Sequence, residues 1–115
     1  MKVGIDLVNS SRFEGKTNSF FDKYFTQNEL IYAKSRKSFT ETIAGVFACK
    51  EAFLKALGVG VFKGIELNEV EVCHDDNGDP YLNLSEKVKK NYFIANCSVS
   101  ISHDNGFAIA ICIIN

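Results

Sequence analysis

The sequence predicts an α+β domain in which antiparallel β-strands pack around one long central helix. Three observations predict this fold class: a helical pattern over 39–57, a tight-turn signal at Asn105-Gly106 between two apolar runs, and a second turn at 75–79 between two alternating runs. Antiparallel strands that are joined by tight turns and accompanied by a few helices are typical of this class. The 115 residues are expected to form one domain, 1–115.

The N-terminal part is predicted to contain one strand followed by two or three short helices. Residues 3–8 form an apolar run that only Asp6 interrupts, as in a buried strand with one unusual charge. Short amphipathic helices are predicted within 12–38. Thr26 is predicted to cap one of them, because Glu29 three residues later completes a capping-box pattern.

The later elements follow from capping and turn signals. The long helix is predicted over 39–57, with Thr40 as a possible cap. Gly58 is expected to end it, since glycine readily adopts the left-handed conformation of a helix C-terminus. A loop is predicted over 58–64. A hairpin, a short helix and a second hairpin are predicted to follow, with strands at 65–73, 81–84, 97–103 and 107–113 and the helix at 85–92.

The composition argues against several classes of protein. The 13 basic and 14 acidic residues give a near-neutral chain, without the strong field that attracts nucleic acid or anionic membranes. No stretch stays uncharged for the roughly 18 residues of a membrane span, and Asp6 comes before a signal-peptide core could develop. The four cysteines lack zinc-ligand spacing and are predicted to be buried free thiols. We therefore expect a cytoplasmic protein.

The long helix has only three charged side chains from Ile43 onward, at Lys50, Glu51 and Lys55. Glu51 and Lys55 lie one turn apart, so they could form an exposed ion pair worth about 0.2–0.5 kcal/mol. Asp6 could likewise be a simple helix cap. However, two carboxylates on buried elements also supply the sparse oxygen ligation that Mg²⁺ accepts when substrate phosphates complete its shell. We therefore predict a magnesium site at Asp6 and Glu51.

Five sequence blocks, in order and with fitting spacing, resemble the holo-acyl-carrier-protein synthase family of phosphopantetheinyl transferases. They cover nearly the whole chain, as Gly4-Ile5-Asp6-Leu7-Val8 with Arg12-Phe13, Phe25-Thr26 with Glu29-Leu30 and Tyr32, Phe47-Ala48-Cys49-Lys50-Glu51-Ala52 with Lys55-Ala56-Leu57-Gly58, Gly78-x-Pro80, and Ser100-Ile101-Ser102-His103-Asp104. The resemblance implies the 4'-phosphopantetheinyl transferase fold. Because larger relatives have two fused halves, it also implies the short, fatty-acid-type class.

The activity implied by this resemblance is transfer of the 4'-phosphopantetheine group from coenzyme A to a serine of apo acyl carrier protein, in fatty acid biosynthesis. The other product is adenosine 3',5'-bisphosphate. The family pattern assigns magnesium to Asp6 and Glu51, and it places Lys55 near the phosphates and the reacting centre. Either Glu51 or a water on the metal could take the serine proton. Coenzyme A is thus expected as substrate and Mg²⁺ as cofactor.

Further roles are implied for residues outside the metal pair. Gly78, Pro80 and His103 are expected to hold the nucleotide end of coenzyme A, and Arg12 with Lys16 is expected to face the acidic carrier. Each has a simpler alternative, since His103 could be a core histidine at a strand end and the two basic residues could be solvated charges.

Assembly is a further expectation. The final strand is apolar on both faces, with Ile109, Ile111 and Ile113 on one of them. One helix layer cannot cover both faces, so the remaining apolar surface would be buried against another subunit. The resemblance implies a homotrimer with coenzyme A between neighbouring chains.

The chain departs from the family pattern at two positions. Val46 stands where the family commonly has arginine, and Val59 stands where it commonly has threonine. Lys34 or Lys63 could supply the positive charge that Val46 does not provide near the coenzyme phosphates. Two other functions compete with transfer: a non-catalytic binding module, which would not need both carboxylates, and a phosphotransfer enzyme acting on a small nucleotide, which would not need a basic carrier-facing patch.

Overall fold

The computed structural model describes residues 1–58 and 64–115 and confirms the α+β class. The strands are β1 (Lys2–Asn9), β2 (Val70–His74), β3 (Pro80–Leu84), β4 (Cys97–Asp104) and β5 (Phe107–Ile114), and the helices are α1 (Asn18–Tyr24), α2 (Gln27–Lys34), α3 (Phe39–Leu57) and α4 (Glu86–Tyr92). Short 3-10 turns lie at Ser10–Phe13 and Leu67–Glu69. None of the helices in these ranges combines the length and hydropathy that a membrane span requires.

Two antiparallel sheets form the β-structure. The larger sheet has the strand order β1-β5-β4, and β2 pairs with β3 in the smaller one. The tight turn between β4 and β5 is confirmed, because Asn105 and Gly106 both have the positive φ angles that such a turn requires, 51° and 81°. The register places Asp6 opposite Ala110 and His103 opposite Ala108.

Helix α3 covers one face of the larger sheet. Apart from Asp6 and His103, the sheet residues that face it are small or aliphatic, including Gly4, Ala108 and Ala110. The helix approaches β1 so closely that a Cβ at Gly4 would overlap the carbonyl oxygen of Ala52. The opposite face of the sheet stays exposed, with Ile5 55% accessible. The sheet is therefore packed on one side only.

Local capping signals were largely, but not wholly, correct. Thr26 and Glu29 form the predicted capping box at the start of α2, and Gly58 ends α3 with φ 78°. The predicted range 39–57 of α3 is confirmed, but the predicted cap at Thr40 is wrong. Ser38 is the cap, because its hydroxyl accepts a hydrogen bond from the Glu41 N–H at 3.3 Å.

The predicted strand at 65–73 is wrong in its first half. Ile65 and Leu67 are buried and mimic the alternation of a strand, but 67–69 forms a 3-10 turn that the Glu69 carboxylate closes by accepting from the Glu66 N–H. The strand begins at Val70. Residues 59–63 of the predicted loop lie outside the described residues, and so do Val59 and Lys63.

The cysteines are free, as predicted, but only two of the four are fully buried. Cys49 and Cys112 lie in the core, whereas Cys73 and Cys97 are partly accessible. The two exceptions lie on β2 and β4, each of which has a face that the core does not completely cover.

Candidate functional site

Asp6 points from β1 toward α3 and is paired with a lysine of that helix. The Lys55 Nζ lies 2.8 Å from the Asp6 Oδ1, and the Asp6 side chain is only 14% accessible. In the described part of the chain, Lys55 forms its ion pair with Asp6 rather than with Glu51. The simple i,i+4 pair within the helix is therefore not what holds this lysine.

Glu51 lies one helical turn before Lys55 and shares its electrostatic environment with Asp6. Burial raises the pKa of the Glu51 carboxyl, and the negative charge of Asp6 raises it further, while Lys55 and Arg12 act in the opposite direction. The two carboxylates are thus close enough to repel each other. A divalent cation between them would relieve that repulsion.

The donor set fits magnesium with substrate present. Among residues 1–58 and 64–115, no three His, Cys, Asp or Glu side chains are arranged to hold a metal ion. Two carboxylates alone leave most of an octahedral shell to other oxygens, and Mg²⁺ is usually bound through one or two carboxylates plus water and substrate phosphates. Asp6 and Glu51 therefore suit a metal that arrives with a phosphorylated ligand.

Glu51 also lines a cavity of about 440 Å³ with a basic and aromatic wall, which we call the Arg12 pocket. Its lining residues are Arg12, Phe13, Lys16, Phe20, Tyr24, Phe47, Glu51 and Leu67. The Arg12 guanidinium lies 5.1 Å from the centroid of the Phe47 ring, a cation–π contact. Arg12 lies on the first 3-10 turn as expected for a short helix, but Lys16 lies in the loop that follows it.

His103, Gly78 and Pro80 lie together in a second cavity of about 620 Å³, which we call the His103 cleft. The His103 Nε2 lies 2.9 Å from the carbonyl oxygen of Glu41, near the start of α3. Gly45 makes room for this ring, because a Cβ there would lie 2.8 Å from Nε2. The β2–β3 turn brings Gly78 to the same cleft with φ 86°.

The His103 cleft has a basic wall that no sequence motif predicted. Arg36 and Lys37 line it beside Val46, the position where the family commonly has arginine. Lys34, one of the two lysines expected to replace that charge, lines a different cavity beside Phe39. Positive charge in this cleft therefore comes from the segment between α2 and α3.

An aromatic stack in this cleft was also missed. The rings of Tyr32 and His74 lie 3.8 Å apart and nearly parallel, and Arg36 lies 5.6 Å from the Tyr32 centroid. Burial and the nearby Arg36 charge lower the pKa of His74. No local pattern in the sequence indicates this stack, because Tyr32 and His74 meet only when α2 packs against β2.

Among the described residues, no hydrogen bond or ion pair joins His103 to Asp6, Glu51 or Lys55. His103 contacts α3 at Glu41 and Gly45, whereas Asp6 contacts it at Lys55. Gly45, against which the His103 ring packs, precedes Glu51 by six residues, which corresponds to about 9 Å along a helix that rises 1.5 Å per residue. One chain thus carries two separate groups of candidate site residues along the same helix, which we call half-sites.

The comparisons with known proteins agree with this architecture. Residues 2–112 match the family model of the 4'-phosphopantetheinyl transferase superfamily. The chain therefore belongs to this superfamily, which confirms the resemblance seen in the sequence.

Within the superfamily, the chain is similar over its full length to holo-[acyl-carrier-protein] synthases. It is 43% identical to that of Campylobacter jejuni, with 96% of each chain covered. It superposes with TM-score 0.90 on the Helicobacter pylori enzyme in complex with coenzyme A, at 32% identity, with 98% of this chain and 99% of that one covered. A Bacillus anthracis synthase in complex with coenzyme A (3',5'-ADP) gives TM-score 0.83 at 36% identity, with 98% and 94% covered.

Proposed function

We propose that this protein transfers the 4'-phosphopantetheine group of coenzyme A to a serine of apo acyl carrier protein, with release of adenosine 3',5'-bisphosphate. The observation that carries the proposal is the cluster of Asp6, Glu51 and Lys55 beside the Arg12 pocket, in a chain of this superfamily. The activity would supply holo carrier protein to fatty acid biosynthesis. The cytoplasm stays the predicted location, because four free thiols suit a reducing compartment.

The phosphate end of the reaction would lie at the Asp6 and Lys55 end of α3. Asp6 and Glu51 would hold Mg²⁺, and a bound magnesium ion supplies charge neutralisation on the pyrophosphate. The Lys55 ammonium, which is 55% accessible, can turn from Asp6 toward the leaving phosphate and stabilise its negative charge. Positioning and electrostatics account for most of the catalysis in phosphoryl-type transfer.

The carrier serine would enter through the Arg12 pocket. Acyl carriers are acidic, so Arg12 and Lys16 at this pocket would attract them and orient the approach. Glu51 lines the same pocket and is the carboxylate there that can accept the proton of the attacking serine hydroxyl.

The nucleotide end of coenzyme A would occupy the His103 cleft of a neighbouring chain in a homotrimer. Two features support this assembly. The His103 cleft and the Arg12 pocket of one chain share no lining residue, and the outer face of the β1-β5-β4 sheet exposes Val3, Ile5 and Leu7 at 61%, 55% and 61%. Packing of that face against other copies would bury it and could bring two half-sites together.

Mass spectrometry tests the transfer directly. The purified chain is incubated with apo acyl carrier protein, coenzyme A and Mg²⁺, and the carrier should gain the mass of one phosphopantetheine arm. Glu51→Ala should give no mass shift, whereas Glu14→Ala, an exposed carboxylate change outside both cavities, should behave like the unmodified chain. Absence of a shift on every carrier tried would refute the proposed function.

Complementation tests the shared site. Asp6→Ala and His103→Ala proteins, each inactive alone, are mixed in equal amounts, unfolded and refolded together. In random closed trimers about one interface in four pairs the intact half of each variant, so activity should return to about a quarter of the wild-type value. If mixed trimers form but remain inactive, each site lies within one chain.

A further inference from the structure

Lys50 is fully buried, although it lies beside Glu51 in the sequence and carries a charge. Its side chain is 0% accessible, and so is that of Glu29, which lies 2.6 Å from its Nζ. The Lys50 Nζ also donates to the carbonyl oxygens of Tyr24 at 3.1 Å and Leu67 at 3.0 Å. All three donors of the ammonium group therefore have an acceptor.

Glu29 is equally saturated. Its Oε1 accepts from the Thr26 N–H at 2.8 Å, and its Oε2 accepts from the Val72 N–H at 2.7 Å. The ion pair with its four backbone contacts joins α1, α2, α3, the second 3-10 turn and β2. One buried ion pair therefore links five secondary-structure elements.

A contribution to stability alone does not explain why this ion pair is buried. Burial raises the pKa of Glu29 and lowers that of Lys50, because both charged forms lose solvation, and their mutual attraction and the backbone hydrogen bonds to Glu29 only partly oppose this. Replacing a buried ion pair with apolar residues of similar size is often neutral or even stabilising. Its presence is better explained by the geometry that it enforces.

The geometry in question is that of the Arg12 pocket. Tyr24 and Leu67, whose carbonyl groups receive the Lys50 hydrogen bonds, both line that pocket, and Glu51 follows Lys50 on α3. One ammonium group thus fixes two walls of the pocket to the helical turn that carries its carboxylate.

On the basis of the proposed function, we propose that Lys50, paired with Glu29, is a positioning residue that holds the walls of the Arg12 pocket in register with Glu51. It contacts neither substrate. Its role is to keep the path of the carrier serine aligned with the carboxylate and the phosphates. The His103 cleft depends less on it, because Tyr32 stacks on His74 and links α2 to β2 independently.

The test separates positioning from folding with three full-length variants: Lys50→Met, Lys50→Gln, and the double variant Lys50→Met/Glu29→Gln. The double variant leaves no buried charge, so its thermal midpoint should recover above that of Lys50→Met. The hydrogen bonds to Tyr24 and Leu67 are still missing in it. Its kcat for transfer should therefore fall about 100-fold, as expected for reacting groups that are misplaced by about 1 Å.

The kinetic pattern distinguishes this role from general damage. The KM for coenzyme A should stay about unchanged, while kcat and the KM for the carrier change. Lys50→Gln keeps two donors and should be intermediate. The control removes an exposed ion pair on α4, as Lys89→Met/Glu86→Gln, and should transfer at the wild-type rate.

Three results would overturn the proposal. The first is a double variant whose thermal midpoint recovers and whose kcat equals that of the wild type. The second is a KM for coenzyme A that changes as much as the KM for the carrier. The third is a failure of all three variants to fold, which would assign the pair to the whole fold rather than to the pocket. A wild-type chain that modifies no carrier would instead refute the proposed function. The two failures are therefore distinguishable.

Discussion

Gly45→Ala should weaken coenzyme A binding without unfolding the protein. The added Cβ would lie 2.8 Å from His103 Nε2 and 3.0 Å from its Cε1. Ordinary carbon contacts begin near about 3.5 Å, so the imidazole must move by roughly 0.7 Å or rotate away from α3. Either movement breaks its hydrogen bond to the Glu41 carbonyl group, now 2.9 Å long.

The expected magnitudes follow from two opposing effects. Loss of the His103 hydrogen bond costs about 1 kcal/mol, whereas alanine in place of glycine inside a helix gains about 1 kcal/mol. The free energy of unfolding should therefore change little. Loss of one side-chain contact to the coenzyme, at about 1.4 kcal/mol, should weaken its binding about tenfold.

Calorimetric titration with coenzyme A and a thermal melt measure these two quantities on the same sample. A double-mutant cycle provides the control, because Gly45→Ala should have no further effect on affinity when His103 is already alanine. Wild-type affinity in a folded Gly45→Ala protein would refute the argument, and so would an equal loss in the His103→Ala background.

Three further substitutions test the other parts of the site and the fold. Asp6→Ala should abolish transfer and leave the thermal midpoint about unchanged. The control Asp76→Ala, in the exposed β2–β3 turn, should transfer normally. Near-full activity of the Asp6→Ala protein would exclude Asp6 as a metal ligand. Arg12→Glu should raise the KM for the carrier but not the KM for coenzyme A. The control Lys34→Glu, in another cavity, should raise neither constant. Equal effects of Arg12→Glu on both constants would show that Arg12 does not contact the carrier. Gly4→Ala should lower the free energy of unfolding by about 3 kcal/mol in urea, because its Cβ overlaps the backbone of α3; wild-type stability would contradict that close packing.

Features with a local physical cause could be predicted from the sequence. The capping box at Thr26, the left-handed Gly58 and the Asn105-Gly106 turn each depend on residues within a few positions, and all three are confirmed. The strand predicted from Ile65 was wrong because it was also inferred from a local pattern alone. Local alternation of buried side chains is shared by a strand and by a 3-10 turn that buries one side chain, so it cannot distinguish them.

Contacts across the fold could not be predicted in this way. Lys50 and Glu29 are each ordinary in their local sequence, and only the packing of α2 on α3 shows that both are fully buried and paired. The Tyr32–His74 stack depends on contact between α2 and β2. In contrast, Asp6 could be identified as unusual because its own strand is otherwise apolar, which is a local signal of a functional carboxylate.

The position of both half-sites on α3 accounts for its unusual composition. Where a helix lies this close to a sheet, small residues are needed at the contacts, as Gly4 is on β1 against the Ala52 carbonyl group and Gly45 is on α3 against His103. Larger side chains at these points would move the helix away from β1 or β4, and thereby separate Glu51 from Asp6 or displace His103. Because one rigid helix carries both half-sites, a change in its position on the sheet would disturb both ends together. We therefore expect substitutions that shift the whole helix to affect both coenzyme A affinity and transfer, whereas substitutions at one end affect one step.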